Sequence, residues 1–433
     1  MTTQRLLSPF EASYFRAAGQ LGSVPTAGMP LFIGSTVRGD LDTAALRRAL
    51  AELAAAHPLL RSRVLDADGP ARFVRDDDFR PRLHLAEGGA DEYRKLVNTQ
   101  RDWSDGLFQA HLLREGDRQQ VVLVVHHGIA DGRSAFALLA EFWQRYTALR
   151  APGSVPVPPP LSQDLPEAVD TRLAALLSAA EVADFLAQVR AMAAVLGPES
   201  AQRTLPRTGA GPDPLGRFDM RRIELDPART ADLVATARAA GVSVNSLLTG
   251  AALTAFRAQF DAAAGAVPMF AGHAFDVRGD LEPPLPERVI LNCASGVGTP
   301  AEVPAGADPL ELARVVAGAM AEVVRQRQAA VFLLAAQRAD EVTAAVLSAP
   351  PTVAISNIGR LPAHSLPAGL TFVRDDVYAM GPGMPPKLTV FTVGERLTVQ
   401  VEYDTAYYSG DLMARIAETL AGTLLGFGAV TPR

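Results

Sequence analysis

Two adjacent histidines, His126 and His127, followed at fixed spacing by Asp131 and Gly132, are the residues of this chain best suited to chemistry. Histidine exchanges protons near neutrality because its ordinary pKa is about 6.5. At the end of a buried strand, such a ring is held rigidly while it faces a cleft. A lone histidine there would more simply be a satisfied core residue, with Asp131 only capping a helix. The pair of histidines, with Asp and Gly at set spacing, favours a proton-transfer site instead. His127 and Asp131 together would be two metal ligands, but no third is evident and the seven histidines are scattered, so no metal is expected.

The flanking residues predict how these groups are positioned. Val121 to Val125 are five apolar β-formers, and Gly132 opens an amphipathic run through Phe136, Leu139, Phe142 and Trp143. The pattern is strand, polar turn, helix, with Asp131 at the N-cap. Alternation along the strand puts His126 and His127 on opposite faces, so at most one faces a given cavity. The strand is the second of a hairpin, Leu107–Leu113 and Gln119–Val125, turning at Glu115-Gly116-Asp117.

Earlier, Ser8, Pro9 and Glu11 form the start signal of a short helix, and Asp42 caps a second that ends before Pro58. Residues 151–166 carry prolines too dense for helix or central strand and read as a linker. A helix over Thr171–Leu196 and a Pro/Gly-rich gap, 198–216, separate the halves. The second half is expected to hold strands at 217–225, 267–277 and 289–297, then helices at 309–327 and 331–347. The strand TVAISNIG and a meander over 370–403 follow, and a helix at 411–425 closes the chain. The division expected is 1–165, a connecting helix and linker at 166–216, and 217–433: two α/β domains of comparable size.

Composition narrows the class. Nearly half of the 433 residues are hydrophobic, a fifth are charged, and the net charge is -6, so a nucleic-acid binder, which needs a basic face, is not expected. Lysine occurs only at Lys95 and Lys387. The single Cys293 excludes an intrachain disulfide and has no motif marking it as a nucleophile. No apolar run reaches membrane-spanning length and the N-terminus lacks a signal-peptide pattern, so a cytoplasmic protein is expected; nothing in the sequence marks an oligomer, and a monomer is expected.

HHGIADG resembles the HHxxxDG motif of the condensation-domain and acyltransferase superfamily, which has the chloramphenicol-acetyltransferase-like fold. The likeness extends beyond the motif, through DLDTAALRRALAELAAAHPLLRSRV, DWSDGLFQAHLL, VSVNSLLTGAALTAF, FDVRGDLEP and TVAISNIGRLP, and so covers almost the whole chain in order. Among its branches the chain looks most like the stand-alone polyketide-associated acyltransferases related to phthiocerol dimycocerosyl transferase. Related plant enzymes carry DFGWG near the point where this chain has YAMGPGMPP, of which only glycines and a proline correspond.

The resemblance implies two acetyltransferase-like domains in a V with a tunnel between them, and a crossover segment near 350–370. It implies that His127 is the general base, that Asp131 pairs with Arg278 to brace the loop, and that His126 packs below the site. Gly132 would permit close approach of substrate or backbone. Ser356 and Asn357 are candidates either for hydrogen bonds near the thioester or its oxyanion, or for holding the crossover in place. Met380, Met384 and Phe391 are candidates for an acyl pocket, though such residues are more often core. No bound cofactor is expected. The donor would be an acyl-phosphopantetheine thioester, on an acyl carrier protein or CoA, and the acceptor an alcohol of a natural product or lipid. An amide-forming enzyme acting on an amine, and a non-catalytic carrier-recruiting domain, are the rival readings.

Overall fold

Two mixed β-sheets, one in each half, organise the chain, and a strand from the second half completes the first sheet. The computed structural model describes residues 3–66, 69–159, 161–195, 202–209 and 216–428.

The first sheet has the order Thr371–Tyr378, Pro30–Arg38, Arg118–His126, Phe108–Glu115, Leu83–Glu87. Its central strands, 30–38 and 118–126, are buried along nearly their whole length, as strands covered on both faces must be. The hairpin turns tightly at Gly116-Asp117, where Gly116 has φ 59°. The motif helix, Gly132–Arg150, packs on the helix Thr43–Ala56 and on the strand 30–38. Asp42 caps the 43–56 helix by accepting from the Ala44 and Ala45 amides, and its own amide donates to Tyr146 Oη, 3.0 Å away on the motif helix. At the N-terminus, Ser8 and Glu11 close a full capping box on the helix Pro9–Phe15.

The second sheet has the order Phe218–Leu225, Arg396–Asp404, Lys387–Val393, Val353–Leu361, Val267–Asp276, Ala294–Val303. Helices Pro227–Ala239, Val244–Arg257, Pro309–Arg325 and Gly410–Gly426 share a core with its strands. The other core spans both halves: the first sheet and motif helix share it with Leu291, Cys293, Ala330, Leu334 and Phe391 of the second half. Among the described residues no single helix is long and apolar enough to cross a membrane.

Four expectations need correction. The crossover expected near 350–370 lies one element later. Val353–Leu361 pairs in parallel with both 267–276 and 387–393, inside the second sheet, and it is 371–378 that crosses to pair with 30–38. Two adjacent buried acids decide this. Asp375 accepts from Ser35 Oγ at 2.5 Å, and Asp376 accepts from Gln120 Nε2 at 2.9 Å and from Arg222 Nε at 2.5 Å. Ser35 and Gln120 belong to the first sheet, so these bonds hold the strand there.

The strand expected at 289–297 begins at Ala294, because the backbone just before it is spent on bonds to the motif, described below. The helix expected over 171–196 is two, Val169–Leu176 and Ala179–Val195, broken where Ser178 and Glu181 cap the second; Leu196 lies outside the described residues. These helices pack on Gln328–Ala335 and Glu341–Leu347 of the second half, and Asp170 also accepts from the Phe10 amide of the first, so the connecting segment touches both halves. Those two are themselves one expected helix, 331–347, divided where Asp340 caps the second. Of the gap at 198–216, residues 198–201 and 210–215 lie outside the described residues.

Candidate active site

The strand 118–126 ends in a turn held on both sides. The amide of His126 donates to Leu107 O and that of His127 to Met29 O, each at 2.9 Å. His126 is 1% exposed. Its ring stacks on Phe15 at 4.1 Å, with Trp103 edge-on at 4.9 Å, and its Nδ1 accepts from the Gly128 amide at 3.0 Å. That bond assigns the neutral ring's proton to Nε2. Burial pushes the imidazole down to about 3, so His126 is an uncharged packing residue. Gly128 is required here, because a Cβ would come within 2.8 Å of Phe15 Cε2 and 2.9 Å of Tyr14 Cβ.

His127 faces the other way. Its ring stacks on Tyr14, centroids 5.5 Å apart and planes at 26°. Nδ1 is buried without a regular hydrogen bond, and the backbone group acting on the ring is its own carbonyl. His127 lies deep in the protein yet keeps part of its surface accessible. Burial holds the imidazole below its ordinary value, and the Lys387 ammonium lowers it further. The ring's own carbonyl and the Asp131 carboxylate pull the other way. The net result is a neutral ring at neutral pH.

Asp131 is N-cap of the motif helix and is also bound across the seam. Its Oδ1 accepts from the Ser134 amide at 2.8 Å. Its Oδ2 accepts from Arg278 Nη1 at 2.5 Å and from the Cys293 amide at 2.8 Å. Arg278 Nη2 in turn donates to Ser134 Oγ at 2.6 Å and to Leu291 O at 2.7 Å. Both side chains of the ion pair are almost fully enclosed. Burial works against the guanidinium's charge, but the Asp131 carboxylate outweighs it and holds the group above its ordinary value. With both oxygens engaged in this way, Asp131 braces the turn and makes no hydrogen bond to His127.

Gly132 lies against Ile358 of the second half: a Cβ there would be 3.0 Å from Ile358 Cδ1. A cavity of about 220 Å³ lies further along the motif helix. Phe136, Ala137 and Ala140 line one side, and Leu361, Pro362 and His364 the other. Sheet register puts Ser356 on the same face as Lys387 and Thr389, and Ser356 is half-buried. The Asn357 side chain is spent inside the protein: Nδ2 donates to Asn245 Oδ1 at 3.3 Å and Oδ1 accepts from the Gly359 amide across a bulge. Met380 and Met384 are buried in the loop after the crossing strand, where Met384 Sδ accepts from the Gly381 amide. Phe391 packs on Phe136, centroids 5.1 Å apart.

Three residues that sequence reasoning did not single out act on His127 or on its stacking partner. Tyr14 carries the stacking ring. Asn292, between the two residues that bind Asp131 and Arg278, approaches the Tyr14 hydroxyl with its side chain. Lys387 forms an ion pair with buried Glu402 at 2.9 Å and donates to Ala379 O. A signal existed for the last, since a lysine opening an apolar strand in a chain with only two is conspicuous. Tyr14 and Asn292 sit in ordinary helical and strand-like patterns and carry none. Among the described residues no cluster of three or more His, Cys, Asp or Glu side chains is placed to hold a metal.

Residues 214–405 match the family described as "Phthiocerol/phthiodiolone dimycocerosyl transferase C-terminus". The phthiocerol/phthiodiolone dimycocerosyl transferase of Mycobacterium leprae is 28% identical over 64% of this chain; the match spans 65% of that relative's length. The protein of the same name from Mycobacterium ulcerans is 27% identical over 78% of each chain. Among solved structures, polyketide synthase associated protein 5 from Mycobacterium tuberculosis superposes with a TM-score of 0.69 at 21% identity, covering 98% of both chains. The first condensation domain of the CDA synthetase gives 0.70 at 17% identity, covering 98% of this chain and 96% of that one. By sequence, residues 214–405 are thus similar to the C-terminal part of the phthiocerol/phthiodiolone dimycocerosyl transferases, and along its whole length the chain shares the fold of polyketide synthase associated protein 5 and of a condensation domain.

Proposed function

We propose that the protein is an O-acyltransferase that moves an acyl group from a phosphopantetheine thioester, on CoA or an acyl carrier protein, to a hydroxyl, forming an ester. His127 is the general base. It removes the hydroxyl proton as the oxygen attacks the thioester carbonyl. The C–O bond forms, the carbonyl becomes an oxyanion, and its collapse breaks the C–S bond. The departing thiolate then takes the proton back from His127, so the ring ends neutral and no acyl-enzyme forms.

The observation that carries this reading is the His127 ring itself: held neutral, still partly accessible, and on the turn that is bound to the second half through Asp131 and Arg278. Positioned base catalysis contributes about 10²- to 10⁴-fold, and the remaining acceleration must come from orienting the two substrates. A covalent route through Cys293 is disfavoured, because the thiol is buried and burial pushes it far above its ordinary value. The names of the relatives support acyl transfer.

The test is mass spectrometry of products from palmitoyl-CoA, or a palmitoyl carrier protein, offered with 1-octanol and octylamine in parallel. The reading predicts octyl palmitate. Exclusive formation of the amide would transfer the assignment to the amine-acylating alternative, and no transfer to either acceptor from either donor would contradict acyltransferase function.

A further inference from the structure

Asn292 is 1% exposed, and its side chain is only half used. Oδ1 accepts from the Ala294 amide at 3.1 Å, which fixes the amide plane and assigns Nδ2 to the other side. Nδ2 is buried and makes no hydrogen bond of regular geometry, leaning only toward the Tyr14 hydroxyl. Buried amide groups are nearly always satisfied, because an orphaned donor costs stability, so one that persists at a functional site points to a partner that arrives later. The neighbours define which partner. Leu291 O and the Cys293 amide, on either side, are tied to Arg278, Ser134 and Asp131, so the brace that holds the motif also fixes Asn292. The group its side chain approaches is the hydroxyl of Tyr14, whose ring stacks on His127.

From this geometry we infer that Asn292 Nδ2 and Tyr14 Oη form a two-donor seat for the thioester carbonyl oxygen beside His127, and that they stabilise the oxyanion formed as the acceptor attacks. This inference rests on the acyl-transfer reading above. An amide N–H and a phenol O–H, one from each half, are neutral donors; such a pair suits an oxygen that gains charge only in the transition state. Tyr14 remains a donor throughout the working range, since burial pushes its hydroxyl up to about 12. The seat also separates roles that Ser356 and Asn357 would otherwise share, because the Asn357 amide is already committed to Asn245.

The test uses the full-length protein and the variants Tyr14→Phe, which keeps the ring stacked on His127, and Asn292→Ala. With palmitoyl-CoA and 1-octanol, each variant should lower kcat by roughly 100-fold with KM changed by less than about threefold, the pattern of a lost oxyanion donor. A second measurement needs no turnover. Affinity is compared for two inert palmitoyl-CoA analogues: a ketone that keeps the carbonyl with CH2 in place of sulfur, and a hexadecyl thioether that lacks it. Wild type should prefer the ketone by about tenfold, and both variants should lose that preference. Variants that keep wild-type kcat, or keep the ketone preference, overturn the seat while leaving the acyl-transfer reading standing. A wild-type protein that neither turns over palmitoyl-CoA nor distinguishes the analogues overturns both. If Asn292→Ala does not fold, Tyr14→Phe decides alone.

Discussion

Asp131 Oδ2 and Arg278 Nη1 meet at 2.5 Å across 147 residues of chain, and that contact ties the His126–Gly132 turn of the first half to the second half. The arrangement is a brace. Both charges are enclosed, and the same groups engage Ser134, Leu291 and Cys293.

Removing one partner of an enclosed ion pair strands the other charge, at a cost of about 3–5 kcal/mol. Asp131→Ala should therefore lower soluble yield and the urea midpoint together with activity, and Arg278→Met should do the same. Urea denaturation of the purified variants checks this. A fully stable but inactive Asp131→Ala protein would contradict the bracing role.

Gly132 and Ile358 should behave as one packing unit. Gly132→Val drives methyl groups into a space that a single Cβ already fills to 3.0 Å, and should destabilise by about 1–3 kcal/mol with a loss of activity. Adding Ile358→Ala should restore part of both, since it clears the obstruction. A double-mutant cycle in urea measures the coupling, and strict additivity would mean that the two side chains do not meet.

The acid limb of kcat/KM should lie below pH 6.5, because burial and the Lys387 charge both hold His127 beneath its ordinary value. The sign follows from protonation: a base with a lowered pKa stays unprotonated, and active, further into acid. Replacing the buried pair jointly, Lys387→Met with Glu402→Gln, removes the positive charge without stranding the carboxylate, so the limb should move to higher pH. A pH–rate profile of both proteins reads the shift. A limb that stays put or moves down would rule out Lys387 as an influence on the base.

What could be read in advance was local. His126, His127, Asp131 and Gly132 lie within seven consecutive residues, so strand alternation and cap preference sufficed to place them. Helix starts at Ser8 and Asp42 were legible for the same reason. The break at Ser178 carries the same capping signal, S-A-A-E, but the apolar run on both sides hid it. Relations across the seam were not legible. The destination of the strand 371–378 depends on Ser35, Gln120 and Arg222, all far away in sequence. Leu291 and Cys293 look like strand residues until their backbone groups are seen bonded to the motif, and Asn292 between them is therefore unmarked by any local pattern. The pairing of Asp131 with Arg278 was anticipated only through family resemblance, since no spacing rule joins positions so distant.

The central claim is that His127 is the base, and it is tested most directly by steady-state acyl transfer from palmitoyl-CoA to 1-octanol by His127→Ala. His127 lies outside the Asp131–Arg278 brace, so the variant should fold with a near wild-type urea midpoint. It should lose about 10²- to 10⁴-fold in kcat. A folded His127→Ala protein that retains the wild-type rate would contradict the account.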